Sequence, residues 1–495
     1  MEIWLPDVLT LIVCLAGFYH SWQYYRNENY KTALWLLMVC GFVLRLYVAS
    51  DFYLHEWDER YHALVAKNLM NHPLLPTLWD KPLLPYDFRN WTSNHVWLHK
   101  QPLPLWSMAL SMKLFGVTEL SLRLPSVVIS TFAIGLTFYI ASFLFDHKTG
   151  YIAAFFMAIN GLVIELTGGR VATDHIDIFF LFFIELAVFF GVRFVQSGKS
   201  IFNVLAGLSL GLAILSKWLP ALIVLPIWIF LTFDSGRFKT RNLIIQLLLL
   251  TGICVTVFLP WQLYIWQAFP FEAQWESGYN LRHFTEVLED RSGSVFYFIN
   301  TIRINYGELI YLPLIWFVWF TFKNPGNLKH WALLIWVIVP LVIFSAAKTK
   351  MQGYMLFTSP ALFIITAAFY NQISNRPINK KFKWAVQVLL FLLIALPVRY
   401  AIERVKPFSK SDRNPDWVID LKNLNKRQIA QGVLFNYPRP VEAMFYTDIT
   451  TYPALPEKRV ITNLIDEGYY ILINNTDSIP DDIRQIAGVE LITMK

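Results

Sequence analysis

Of the 495 residues, 56% are hydrophobic, 17% aromatic and only 16% charged, against roughly 25% charged in an average soluble domain. This excludes a disordered, collagen-like or disulfide-stapled chain, and it leaves a soluble enzyme of this size short of the charged surface it would need. The formal net charge of +7 speaks to topology in a membrane chain, where position matters more than sum.

Twelve apolar blocks follow one another, at about 7–24, 32–50, 125–145, 151–167, 176–195, 201–216, 219–233, 243–262, 304–322, 331–347, 353–370 and 384–401. Their lengths near the membrane thickness predict a mainly α, polytopic membrane protein with about twelve transmembrane helices. The N-terminus lacks the basic stretch and cleavage site of a signal peptide, so its first block is expected to be retained. Cys14, Cys40 and Cys254 sit inside blocks without metal-ligand spacing and read as small buried hydrophobes. The apolar stretch 103–116 is too short to span and reads as an interfacial helix.

Basic residues set the orientation. The loops 26–31, 146–150, 196–200, 234–242, 323–330 and 371–384 hold thirteen Lys or Arg and three acids, a net of +10, and are expected in the cytoplasm. The first long loop (51–124 with its juxtamembrane helices), the 263–303 loop and the tail then lie outside. The division expected is a membrane domain over 1–401 and a small extracytoplasmic α/β domain over 402–495. The tail carries 25 of the 77 charged residues and has β-rich runs at Val433–Phe435, Ala443–Tyr446, Tyr469–Ile473 and Val489–Thr493. Its net charge is −1, which gives no support to nucleic-acid binding.

Charges against this pattern are costly near a bilayer and mark candidate sites. Asp58, Glu59, Arg60 and Tyr61 open a helix after the second block; Asp58 and Glu59 either complement the helix dipole or supply a general base. Lys100 either snorkels to headgroups or holds a phosphate. His99, four residues after His95, is a candidate metal ligand should the segment be helical. Arg170, Asp174 and Asp177 surround a tight turn, and Glu185 falls inside the next block. Lys217 stands in an outer turn of two or three residues, and Lys348 and Lys350 suit cations at a helix C-terminus; together with Arg282 and Tyr354 the three also suit a phosphate at the membrane surface. Basic patches bind ordinary anionic lipids too.

Taken in order, Asp58-Glu59 with Tyr61, His99-Lys100-Gln101-Pro102-Leu103, Arg123-Leu124-Pro125-Ser126, Arg170 with Asp174, Ser216-Lys217, and Lys348-Thr349-Lys350 with Tyr354 resemble the GT-C class of membrane glycosyltransferases. The likeness is to the protein O-mannosyltransferase and aminoarabinose (lipid A) transferase superfamily (glycosyltransferase 39/83-like) and covers about residues 45–365. The chain departs from that pattern in the spacing of Tyr61, which leaves the choice between Asp58 and Glu59 open, and in Gln101, where a proline is common.

The resemblance implies transfer of a single sugar from a polyprenyl-phosphate donor, with inversion, to a lipid, glycan or protein acceptor outside the cytoplasm. A bacterial inner membrane is the expected location. Asp58 is then assigned as base, with Glu59 and Asp174 positioning, and Lys100, Lys217, Arg282, Lys348, Lys350 and Tyr354 on the donor phosphate. The implied mechanism requires no cofactor; His99 is the candidate ligand should a divalent metal bind. An oligosaccharide polymerase or ligase is the alternative within enzymes. A secondary transporter is the alternative outside them, disfavoured because no internal repeat is visible and the unusual charges sit at loop ends.

Overall fold

The computed structural model describes residues 5–172, 174–377, 379–406, 413–476 and 479–495. In chain order the helices are α1 (Leu5–Arg26), α2 (Tyr30–Ala49), α3 (Asp58–Leu69), α4 (Pro102–Phe115), α5 (Glu119–Leu144), α6 (His147–Ile159), α7 (Gly161–Thr167), α8 (Asp174–Ser197), α9 (Ser200–Lys217) and α10 (Val224–Asp234). They continue with α11 (Thr240–Ala268), α12 (Pro270–Thr285), α13 (Tyr297–Tyr306), α14 (Tyr311–Lys323), α15 (Leu328–Ala346), α16 (Ser359–Ser374) and α17 (Lys383–Val405). Then α18 (Asp416–Asn425), α19 (Pro440–Tyr446), α20 (Lys458–Asp466) and α21 (Asp481–Arg484) alternate with β1 (Gly432–Phe435), β2 (Thr450–Thr451), β3 (Tyr470–Asn474) and β4 (Val489–Ile492).

Among the described residues, eight helices are long and apolar enough to cross a membrane, nine if the bent pair α6–α7 is one span. This is a multi-pass membrane protein. The count falls short of twelve partly because two apolar blocks are interrupted. Block 219–233 is a 3-10 turn running into α10. Block 304–322 breaks at Gly307, whose φ of 95° and closeness to Pro397 (2.9 Å from an added Cβ) leave no room for another residue. The 263–303 loop is itself largely helical, through the end of α11, α12 and the start of α13.

The chain forms two compact units. The first comprises Met1–Ser50, Lys100–Pro104 and Arg123–Ser409. Its core is one continuous apolar cluster drawn from most of its helices. Association of apolar helices in a bilayer rests on close packing rather than on the hydrophobic effect. Gly207 and Gly211 supply that closeness between α9 and α11, since an added Cβ would lie 2.5 Å from the Leu250 carbonyl oxygen at one and 2.6 Å from the Val257 Cβ at the other.

Helix ends in this unit are closed by side chains. Asn160 bends the chain by 50° between α6 and α7; its side-chain oxygen accepts the Val163 N–H and its amide donates to the Asn305 carbonyl. The carbonyls freed at the end of α6 are taken up by Arg45, which is fully buried. Its guanidinium donates to Met157 O (3.0 Å), Ala158 O (3.1 Å), Gly41 O (3.0 Å) and Ser130 Oγ (2.9 Å).

The second unit comprises Asp51–His99, Leu105–Leu122 and Lys410–Lys495. It holds a parallel sheet of order β2-β1-β3-β4. Register pairs Val433 with Thr450 and Ile471, and Leu472 with Leu434 and Glu490. Strand β1 is buried on both faces, as parallel strands usually are. Leu434 and Leu472 face a core shared with α3, α4, α18 and α19, while Val433, Phe435, Ile471 and Ile473 face α20 and α21. One face of the sheet is therefore covered by the first long loop, so the compact unit extends well beyond the tail. The run Ala443–Tyr446, expected as a strand, is the end of α19, because Pro440 in the first turn opens a helix. The Lys67 ammonium closes that helix by donating to the carbonyls of Met444, Phe445 and Thr447.

Gly207→Val should overpack α9 against α11 at a cost of about 1–3 kcal/mol. The check is the thermal midpoint of the detergent-purified protein, expected to fall by several degrees while Gly252→Val, where an added Cβ meets nothing within 4 Å, leaves it unchanged.

Candidate active site

Asp58 stands in the first turn of α3, half-exposed, with its carboxylate at the positive end of the helix dipole. Glu59, beside it, is fully buried. Its Oε2 accepts the His55 N–H at 2.7 Å and lies 2.6 Å from the His55 ring Nδ1. The other ring nitrogen of His55 is 3.2 Å from Asp51, which also faces Arg413 at 3.7 Å. A histidine held between two carboxylates donates to both only as the imidazolium. Glu59 is thus committed to holding the turn that leads into α3.

Arg60 and Tyr61 also do local work. The Arg60 guanidinium donates to Glu442 (3.2 Å) and to the Tyr61 hydroxyl (3.3 Å), tying α3 to α19. Burial raises the Tyr61 phenol above its usual range despite the pull of Arg60, so it stays protonated. His99 stacks on Trp91 at 4.4 Å with rings 3° from parallel. Among the described residues, no group of three or more His, Cys, Asp or Glu could hold a metal ion.

The helical unit carries the remaining candidates. Asp174 and Asp177 open α8 and are both buried. Asp174 Oδ1 accepts the N–H of His175, whose ring Nδ1 lies 2.9 Å from Ser126 Oγ. Asp177 pairs with Lys217 in the last turn of α9. The Lys217 ammonium also sits 5.1 Å from the centre of the Tyr354 ring, a cation–π arrangement. Lys217 is partly exposed, and an ammonium carries three donors, so the pair with Asp177 fixes it and leaves protons for a ligand. The residue that follows, Trp218, has a φ of 78°, a conformation rare for a bulky side chain and characteristic of functional sites.

Other cations are spent. Lys350 is 97% buried by its 3% exposure, and its Nζ donates to Phe344 O (2.9 Å), Ser345 O (2.6 Å) and Ala347 O (2.5 Å) at the end of α15. All three protons are used, so it has none for a phosphate. Arg170 donates to Val405 O at the end of α17 (3.0 Å). Arg282 pairs with Glu286 one turn on, at the surface (2.9 Å). Lys348 is exposed, and its backbone N–H is bonded to Phe284 O. Lys100 is half-buried just before α4, where the neighbouring Gln101 accepts from Gln262 (2.9 Å). Glu185 accepts from Thr137 (2.5 Å) within the helix packing.

Sequence reasoning missed His55, although Asp51, His55 and Glu59 recur at intervals of four. It also missed the His175–Ser126 contact and the strain at Trp218, for which the following Leu-Pro is the only local sign.

A family model described as dolichyl-phosphate-mannose-protein mannosyltransferase matches residues 99–264. An uncharacterized protein of Aquifex aeolicus is 25% identical over 373 residues, covering 74% of this chain and 70% of that one. The undecaprenyl phosphate-alpha-4-amino-4-deoxy-L-arabinose arabinosyl transferase of Enterobacter sp. (strain 638) is 24% identical over 391 residues, covering 73% of this chain and 65% of its own length. The crystal structure of ArnT from Cupriavidus metallidurans bound to undecaprenyl phosphate superposes with a TM-score of 0.62 at 16% identity, over 87% of both chains. The archaeal oligosaccharyltransferase AglB from Archaeoglobus fulgidus, in complex with an inhibitory peptide and a dolichol-phosphate, gives 0.55 at 16% identity, over 85% of this chain and 64% of that one. The fold is that of the GT-C membrane glycosyltransferases, and the chain is a glycosyltransferase. In sequence the chain is similar to mannosyltransferases and aminoarabinose transferases.

In an Asp177→Asn background, which removes the buried carboxylate that Lys217 neutralises, Lys217→Met should weaken binding of a polyprenyl phosphate at least tenfold with little further change in thermal midpoint. Lys350→Met should do the reverse, because it strands three carbonyls, each worth about 1–3 kcal/mol when left unpaired in an apolar setting. Binding and melting measured on the same two purified variants separate the roles.

Proposed function

We propose that this protein transfers one sugar from a polyprenyl-phosphate donor to an acceptor hydroxyl or phosphate on the extracytoplasmic face of a bacterial inner membrane. The carrying observation is how the charges are sorted. Glu59, Arg170 and Lys350 are consumed by the fold, whereas Lys217 is held by Asp177 with protons to spare. A cation fixed but not exhausted suits a leaving phosphate.

In the proposed step the acceptor oxygen attacks the anomeric carbon in line with the bond to phosphate. Its proton passes to the Asp58 carboxylate. The carbon–oxygen bond to the carrier breaks, and the electron pair leaves on the phosphate, where Lys217 takes up the charge, Lys348 and Lys100 add to it and Tyr354 backs Lys217. One displacement inverts the anomeric centre. Asp174 positions through the start of α8. The step requires no metal.

The basic loops support this orientation: thirteen Lys or Arg against three acids on one alternating set. On that topology the shorter apolar helices complete about twelve spans, and the tail with its sheet lies outside the cytoplasm. Nucleotide sugars are cytoplasmic, so a site outside needs a lipid-linked donor. The names of the relatives support this donor class. The likeness to an oligosaccharyltransferase keeps one rival in view, transfer of a preassembled chain.

Purified protein given radiolabelled undecaprenyl-phosphate sugars and a set of lipid, glycan and peptide acceptors should yield a product one sugar larger. Asp58→Asn should lower turnover by about 10²–10⁴-fold, the usual contribution of a general base, with donor affinity retained. Full turnover in Asp58→Asn would remove the base assignment, and a product larger by several sugars would favour chain transfer.

A further inference from the structure

The second unit contains a polar cleft of about 290 Å³ that the transfer chemistry does not use. It opens between the end of α3, the turn at Asp80-Lys81 and the segment after α19. Its volume is just below the roughly 300–1,000 Å³ of small-molecule pockets, which suits one sugar ring or a short stretch of glycan.

Charge identifies the ligand class. Lys67 and Lys81 balance Asp80 and Asp448, so the lining is formally neutral. Lys67 is exhausted by the carbonyls of Met444, Phe445 and Thr447 and by Asp448 at 3.3 Å, so the cleft keeps no buried cation for a phosphate. Asp80 accepts the Thr77 hydroxyl at 3.1 Å, and Asp448 faces Lys67, so neither carboxylate belongs to a cation cage. What the cleft does offer is a mixture of donors and acceptors at its rim. Asn71, Asp80, Lys81 and Asp448 are all exposed, above an apolar floor that includes Trp79. A neutral polyol matches that inventory, its hydroxyls both donating and accepting and its C–H faces lying on apolar surface.

We infer that this cleft is a binding site for uncharged saccharide, separate from the donor-phosphate residues, through which the unit holds a glycan. The inference stands on the cleft alone and does not require the transfer reading.

The test is binding of the intact, detergent-solubilised protein to a printed set of neutral gluco-, manno- and galacto-oligosaccharides, with oligogalacturonates and calcium alongside. At least one neutral oligosaccharide should bind with millimolar or better affinity. Asn71→Ala with Lys81→Ala, two exposed changes, should weaken it at least tenfold, and Asp80→Asn should weaken it less than Asp80→Ala. The thermal midpoint and hydrolysis of a polyprenyl-phosphate sugar should not move. Absence of binding to every neutral oligosaccharide, binding confined to the anionic set or to calcium, or affinity indifferent to the substitutions would overturn it. Loss of hydrolysis in Asp58→Asn with saccharide binding intact would separate this site from the proposed transfer.

Discussion

The last carbonyls of a helix have no partner within that helix, and in an apolar interior no water supplies one. Much of this molecule answers that demand with cations. Arg45 closes α6, Arg170 closes α17, Lys350 closes α15 and Lys67 closes α19. The arrangement is favourable twice over, since each donor also meets the negative end of a helix dipole. Bends and breaks that would otherwise be too costly, such as the one at Asn160, become tolerable because a guanidinium waits at the exposed carbonyls.

The same demand decides which charges remain for chemistry. A lysine donating to three carbonyls has a fixed structural task, however well its sequence context fits a phosphate site. A glutamate accepting from a backbone N–H and a histidine ring is likewise committed. Lys217 is the contrast: it pairs with Asp177, lies beside the Tyr354 ring and stays partly exposed.

How far the sequence could be read follows from what each feature depends on. Apolar blocks are local, so each of them meets helix in the structure, and the helix starting at Asp58 and the short one over 103–116 were equally visible. Breaks such as that at Gly307 depend on a neighbour, Pro397, ninety residues on in sequence, and left no local trace. The strands at Val433–Phe435, Tyr469–Ile473 and Val489–Thr493 were legible as buried β-branched runs, while Ala443–Tyr446 misled because Pro440 outweighs composition. Motif order located Lys350 and Glu59 among the candidates but could not show their hydrogen-bond partners. The Gly207–Gly211 pair has a spacing that signals close helix packing.

Lys217 shows why a fixed lysine and not an arginine suits this position. A guanidinium spreads its charge over a plane and pairs best with two oxygens at once, which Asp177 would satisfy by itself. An ammonium is a compact charge with three donors. One partner orients it and leaves the other donors, while the Tyr354 ring covers one side without offering a lone-pair acceptor for them. The backbone pays for this placement. Helix α9 stops at Lys217 because Trp218 turns into a left-handed conformation, with its N–H closing on Ile214 O at 2.8 Å and Pro220 following. Such a residue costs on the order of 1–3 kcal/mol and persists only where its surroundings fix it. Trp218 packs edge-on against Phe258 of α11, with ring centres 6.4 Å apart, so the packing of α9 on α11, drawn close by Gly207 and Gly211, extends to the residue that ends α9 beside Lys217.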